Sequence, residues 1–289
     1  MLTPPADALT RAIVFLLVFG VMAVCEALAP RRQRSLGRRR RWPSHLVLLV
    51  LNSITVRLLV PATAYGVAEF AFERQWGLFR QMELPYWIEL PLAIALMDLA
   101  IYVQHVAAHA MPHLWCVHRV HHADLDLDVT SGIRFHPVEM LLSMWWKLVV
   151  ILLLGPLPTA VVVFEIVLNA SAMFNHSNFA LPERIDAWLR YLVVTPDMHR
   201  IHHSVVRREM DSNFGFMLPW WDRLFGTYRE APDAGQTGMT IGLSEWRRAD
   251  DVQPIGRLLL IPLVRDTASV APETTASETV VEAVHHTPE

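Results

Sequence analysis

The sequence holds two cysteines and one lysine in 289 residues. Cys25 sits in an apolar run and Cys116 beside a group of histidines, so no disulfide framework can brace the fold, and the two thiols leave the redox compartment open, with a reduced cytosol favoured. Lys147 is the sole lysine among 25 basic residues. That arginine bias, with abundant alanine and valine, is the composition of a GC-rich bacterial genome. An excess of positive charge is also missing. The net charge is -3 and the arginines cluster only in one short loop, which excludes the basic face that nucleic acid would need. What the chain has in quantity is apolar. Hydrophobic residues make up 53% and the mean hydropathy is +0.30, above the roughly 45–50% of soluble domains, so the chain reads as a membrane protein.

The apolar runs divide into spans. Residues 12–29 come close to the roughly 20 residues a transmembrane helix needs. A signal peptide carries its positive charge ahead of the apolar core, whereas here Arg31, Arg32, Arg34 and Arg38 to Arg41 follow it. The run is therefore a retained anchor with its C-terminal end in the cytosol. Residues 45–70 make a weaker second span, interrupted by Asn52, Arg57 and Pro61. Residues 73–86 form a short connection, with Trp76, Tyr86 and Trp87 as an aromatic belt, before a third span at about 87–110.

Residues 138–175 are apolar for too long to be one crossing, and Gly155, Pro156 and Pro158 break them into a helical hairpin. A single crossing would leave His176 on the opposite side of the membrane from His118 and His136, and the hairpin brings it back. Residues 182–194 read as an amphipathic helix, lying on the membrane surface or acting as a lid. Thr195 caps the next helix, with Pro196 at its first position. Beyond about residue 266 the loss of periodicity predicts a disordered tail. The fold class expected is an all-α membrane protein of about four to five transmembrane helices, including the hairpin, with a cytosolic histidine-rich helical cap. Its parts are membrane anchor spans with an Arg-rich loop at 1–84, a core at 85–230, a C-terminal extension at 231–265 and the tail at 266–289.

Ten of the fourteen histidines form an ordered series. His105 and His109 are an i, i+4 pair. His118/His121/His122 and His199/His202/His203 both read H-x-x-H-H, and His136 and His176 stand singly. At 100° per residue these spacings share a helix face, so each triplet is expected to aim three imidazoles at one spot. Neutral imidazole is the commonest metal-ligating side chain. Ten are too many for one ion, which takes about four to six ligands, and they suit two ions with about five each. Iron, zinc, copper and nickel all accept imidazole, so these residues leave the metal open. His45, His113, His285 and His286 fall outside the series.

Three carboxylates accompany it. Asp98 shares a stripe of the third span with Tyr102, His105 and His109, and is expected to orient a histidine through its second nitrogen. Asp197 is expected to cap its helix, to contact a histidine, or both. Asp222 lies in the aromatic-rich stretch 213–229. Asp124, Asp126 and Asp128 look like the opening of a calcium loop, but Val129 replaces the required glycine and Phe135 the closing glutamate, so that site is excluded.

The order His105-x-x-x-His109, His118-x-x-His121-His122, Arg134-Phe135-His136-Pro137, Asn175-His176-x-Asn178 and His199-x-x-His202-His203, closed by the run from Trp221 to Tyr228, resembles the fatty acid hydroxylase/sterol desaturase superfamily. The likeness covers roughly residues 85–230. It implies a membrane monooxygenase with two iron ions on the ten histidines of the series. Such an enzyme uses O2 and two electrons to hydroxylate or desaturate an unactivated lipid C–H bond. It also implies a separate ferredoxin or cytochrome with its reductase, since no haem-binding domain is fused at either end. The lipid and the oligomeric state stay open. A membrane metal transporter or metal-binding protein is the competing class, but transporter sites lie near the midplane on broken helices rather than at span ends. A membrane cytochrome would need single axial histidines rather than triplets.

Overall fold

The computed structural model describes residues 4–264. The predicted tail, with His285 and His286, lies outside the described residues. Every regular element within them is helical, and the extended pairings are two isolated bridges, Pro30 with Phe179 and Ser204 with Ile241. Five segments are long and apolar enough to cross a membrane. The chain is thus an all-α membrane protein.

Helix α1 (Pro4–Leu28) packs along α7 (Pro158–Asn175). Glu26 fixes its C-terminal end, accepting the backbone N–H groups of Val129 at 2.7 Å and Asn178 at 2.9 Å and pairing with Arg34 and Arg38. The arginine-rich loop that follows is built into the fold. Arg31 pairs with Asp197 at 2.8 Å, and Arg32 donates to the carbonyls of Gln236 and Met239. The loop after α1 and the segment 236–239 therefore lie together, as the hairpin requires.

The second span is two helices, α2 (Arg38–Leu59) and α3 (Ala64–Glu73). The interruption expected from Asn52, Arg57 and Pro61 falls at Pro61, which has no N–H to continue the ladder. Thr63 restarts the helix by accepting the Gly66 N–H at 3.0 Å. Helix α4 (Tyr86–Ala110) is the third span, and α5 (Pro112–His122) carries the first histidine triplet.

The hairpin is present as α6 (Pro137–Leu154) and α7, turned at Gly155 in the left-handed conformation, φ 59°. A Cβ at Gly155 would meet the Trp76 carbonyl at 2.1 Å, so glycine lets the hairpin tip seat on the α3–α4 connection. Val60, Ala64, Met97, Ile101, Leu148, Ile151, Val161 and Phe164 form the core between α3, α4, α6 and α7.

The amphipathic helix expected over 182–194 is shorter, α8 (Glu183–Leu189). Thr195 opens α9 (Pro196–His202), accepting the Met198 N–H, with Pro196 in the first turn. Helices α10 (Arg207–Met210) and α11 (Trp220–Leu224) follow. The segment between them dips beside α4. Asp98 accepts the N–H groups of Met217 and Leu218 and the indole N–H of Trp221, at 3.2, 3.1 and 2.9 Å. Asp98 lies about 18 Å along α4 from Ala110, at 1.5 Å per residue, so the histidine-rich cap reaches well into the span region.

The three aspartates that resemble a calcium loop bind protein instead. Arg41 pairs with Asp124 at 2.6 Å and Asp128 at 2.5 Å, while Asp126 accepts from Ser35 and Leu36. Burial pushes the Asp124 carboxyl up, but the Arg41 guanidinium outweighs it and holds the group well below the usual carboxylate range. This network fixes the loop between α5 and α6.

Candidate metal centre

Nine of the ten histidines in the series converge as two buried sets. His105, His109, His118, His122 and His202 form one, and His121, His176, His199 and His203 the other. Within each set one nitrogen per ring lies within 4.8 Å of all the others. The sets adjoin, with the rings of His122 and His203 stacked at 4.5 Å between centroids.

The triplets do not each aim at one spot. In H-x-x-H-H the first and last rings differ by 40° around the helix, while the middle and last differ by 100°. His118 and His122 therefore enter the first set and His121 the second. In α9 the assignment is reversed, with His199 and His203 in the second set and His202 in the first. Each triplet holds both sets together.

Backbone carbonyls fix four of these rings. His105 Nδ1 lies 2.7 Å from the Phe214 carbonyl, His202 Nδ1 2.9 Å from Ser212, His121 Nδ1 3.3 Å from Arg134 and His176 Nδ1 2.7 Å from Ala172. A carbonyl only accepts, so Nδ1 carries the proton and Nε2 is left with a lone pair. Two carboxylates face other rings in the same way, Glu139 on His118 at 2.6 Å and Asp211 on His109 at 3.3 Å.

The consequence is visible in the second set. His121 Nε2 and His176 Nε2 face each other at 3.0 Å, lone pair against lone pair, with no proton to share. His199 Nε2 lies 3.0 Å from His176 Nε2, and His109 Nε2 lies 3.1 Å from His122 Nε2. Two imidazoles held in cis positions about 2.1 Å from one ion have nitrogens about 3.0 Å apart. Buried lone pairs at that spacing are satisfied by a cation, so the residues fit a metal in each set. In the first set the Nε2 atoms of His105, His118 and His202 have no partner among the described residues.

Burial also keeps the rings neutral. Desolvation, with the neighbouring rings adding to it, holds His121, His122, His199 and His203 well below the ordinary imidazole value, and brings His202 to about 3 and His176 to about 4. The unfolded chain takes up protons below about pH 6.5, whereas the folded chain resists until far lower. The unfolded state then binds more protons, and stability falls as pH drops, by up to about 1.4 kcal/mol per pH unit per ring. Metal-free protein in detergent should melt at the same temperature from pH 7.5 to 8.5 and progressively lower from pH 7 to 5. A flat melting profile over that lower range would contradict buried neutral rings.

The remaining predicted residues sit elsewhere. His136 does not join either set: as the N-cap of α6 its Nδ1 accepts the Val138 N–H at 3.2 Å, and the ring also bonds the backbone of Leu259. Asp98 touches no histidine, because its carboxylate is filled by the three donors of the 217–221 segment. Asp197 pairs with Arg31 and Arg200 rather than with a ring. Asp222 accepts the Phe214 and Gly215 N–H groups at 2.8 Å and the Thr227 hydroxyl at 2.7 Å, shaping the loop whose Phe214 carbonyl orients His105. The residues missed from the sequence are Glu139, Asp211 and the orienting carbonyls. Carbonyls leave no trace in a sequence, and the two carboxylates reach their rings only through the fold.

A cavity of about 800 Å³ opens beside the first set. His105, His118 and Glu139 line one end, and Leu49, Val56, Ile101, Ile133, Met144 and Phe216 line its apolar walls.

Helices, two imidazole-only sets and an apolar cavity define a membrane protein built to hold metal beside a lipid-sized space. Residues 90–227 match the fatty acid hydroxylase family. The chain is 30% identical over 176 residues to ornithine lipid hydroxylase OlsE of Rhizobium tropici, covering 60% of this chain and 52% of that protein. Alkylglycerol monooxygenase of Xenopus tropicalis is 27% identical, over 63% of this chain and 40% of its own length. Delta(7)-sterol-C5(6)-desaturase of Nicotiana tabacum is 25% identical, over 65% and 69%. Over residues 90–227, just under half of its length, the chain is similar to the fatty acid hydroxylase family. It spans about half or less of the length of the first two of these relatives. No solved structure matches it.

Proposed function

We propose that the chain is an O2-dependent di-iron oxidoreductase that hydroxylates, or in the alternative outcome desaturates, an aliphatic C–H bond of a membrane lipid. The observation that carries this reading is the pair of imidazole sets whose lone pairs converge at 3.0–3.1 Å beside the apolar cavity. His105, His109, His118, His122 and His202 would hold one iron, and His121, His176, His199 and His203 the other. When bound, the two irons supply O2 activation strong enough to break an unactivated C–H bond, with two electrons from an outside donor. The protein's own part is positional. Carbonyls and carboxylates lock the ring tautomers, so the donor atoms need no reorganisation. Apolar walls align an alkyl chain with His105 and His118 and exclude water, which protects the oxidising chemistry from side reactions.

The names of these relatives support a lipid substrate, and two of the three describe hydroxylation or monooxygenation. The donor is a separate ferredoxin or cytochrome with its reductase. The arginine-rich loop after α1 supports a site on the cytosolic face by the positive-inside rule, and the arginine-rich composition supports a bacterial cell membrane. Membranes carrying the protein, supplied with a reductant and ¹⁸O2, should yield a lipid with one ¹⁸O atom inserted. Loss of two hydrogens without label assigns desaturation. Iron uptake into vesicles with no change in any lipid would favour a transporter and defeat the proposal.

A further inference from the structure

The cavity that reaches His105 and His118 has a charged end. Arg11, Arg57 and Glu165 line it from α1, α2 and α7, with Asn52 and Asn169 beside them. All three ionisable residues lie within candidate spans. The depth of Glu165 follows from the helices. Lys147, which pairs with Glu165 at 2.7 Å, stands eight residues beyond Glu139, the residue that meets His118, which is about 12 Å along α6. Glu165 stands eleven residues before His176, about 16 Å along α7.

An ionised side chain at such depth is costly unless it is paired, and it marks a binding or transport function more often than a structural one. Glu165 is already shared by Arg11 and Lys147. Arg57 meets no carboxylate among the described residues. It stands one turn before the break between α2 and α3, and Val60, Pro61, Ala62 and Thr63 of that break also line the cavity. The wall is therefore non-helical next to the guanidinium.

We propose that this end of the cavity binds the anionic oxygen group, carboxylate or phosphate, of a lipid whose alkyl chain runs along the apolar walls to His105 and His118. Arg57 is the cation that receives it. This rests on the oxygenase reading and narrows it in two ways. The substrate is an anionic lipid, and the carbon oxidised is set apart from the anionic group, since Arg57 stands five residues, about 8 Å, along α2 beyond Asn52, which donates to the carbonyl of Phe135, whose ring stacks on His121. An uncharged lipid would leave Arg57 without a counterion at the cavity wall.

The test uses the metal-free full chain in detergent at pH 8 and measures equilibrium binding of radiolabelled palmitate, hexadecyl phosphate and hexadecanol, which share one chain length. At least one anion should bind about tenfold or more tightly than the alcohol, as expected of an ion pair formed in low dielectric. The tighter of the two anions identifies carboxylate or phosphate as the natural group. Arg57→Gln should reduce the preference to about twofold or less, Arg57→Lys should keep most of it, and Arg39→Gln, outside the cavity, should leave it intact. Equal binding of all three lipids, or an anion preference that survives Arg57→Gln, overturns the proposal. No turnover enters the measurement. A failure to insert ¹⁸O would defeat the oxygenase reading without altering this result, and a loss of anion preference would leave that reading standing.

Discussion

His121→Ala is expected to give protein that folds, binds fewer than two metal ions per chain and has no detectable turnover. His202→Ala should do the same from the other set. His121 is one of four ligands in its set and His202 one of five, and both rings are fixed through Nδ1 by a backbone carbonyl. Loss of an outer orienting partner typically costs about 10–100-fold in metal affinity or activity, and loss of the ligand itself should exceed that. The appropriate control is His113→Ala, an exposed histidine on the same helix as His121. Metal analysis and lipid turnover on the three variants decide the matter. If His113→Ala is as damaging as the other two, the sets are misassigned.

Asp98→Leu should lower thermal stability sharply. Three donors, the Met217 and Leu218 N–H groups and the Trp221 indole, would lose their acceptor deep beside α4. Each unsatisfied buried donor costs about 1–3 kcal/mol, so a loss of about 2–6 kcal/mol is expected even if one donor finds a new partner. Asp98→Asn keeps one acceptor oxygen and should lose about half as much. Melting in detergent reads this directly. A histidine-orienting role would instead lower metal content with little change in melting, and that outcome would contradict the geometry.

Much of this architecture was legible in the chain. Apolar run lengths and the Gly155-Pro156-Pro158 break locate the spans and the hairpin, because backbone hydrogen bonding in hydrocarbon leaves few alternatives to a helix. Thr195 and Pro196 mark the start of α9 by capping chemistry alone. The histidine series was legible as more imidazoles than one cluster needs, yet its division into two sets was not. Spacing along one helix says which rings neighbour each other, while the set each ring joins depends on how α4, α5, α7 and α9 cross.

Asp98 shows the same limit. Its place on α4 follows from spacing, but the group that meets it comes from a segment more than a hundred residues later. His136 departs from the series for a local reason. A histidine before a proline that opens a helix can use its own Nδ1 as the cap, and here it does. Asp126 anchors the loop at Ser35 and Leu36, a pairing that no motif announces.

The central claim is that the two imidazole sets hold two irons that act together. Metal content per chain, measured on detergent-purified protein grown with iron-57 and combined with Mössbauer spectroscopy, tests it most directly. The account predicts two irons per chain with the spectrum of a magnetically coupled pair. One ion or none, persisting after reconstitution with iron, would contradict it.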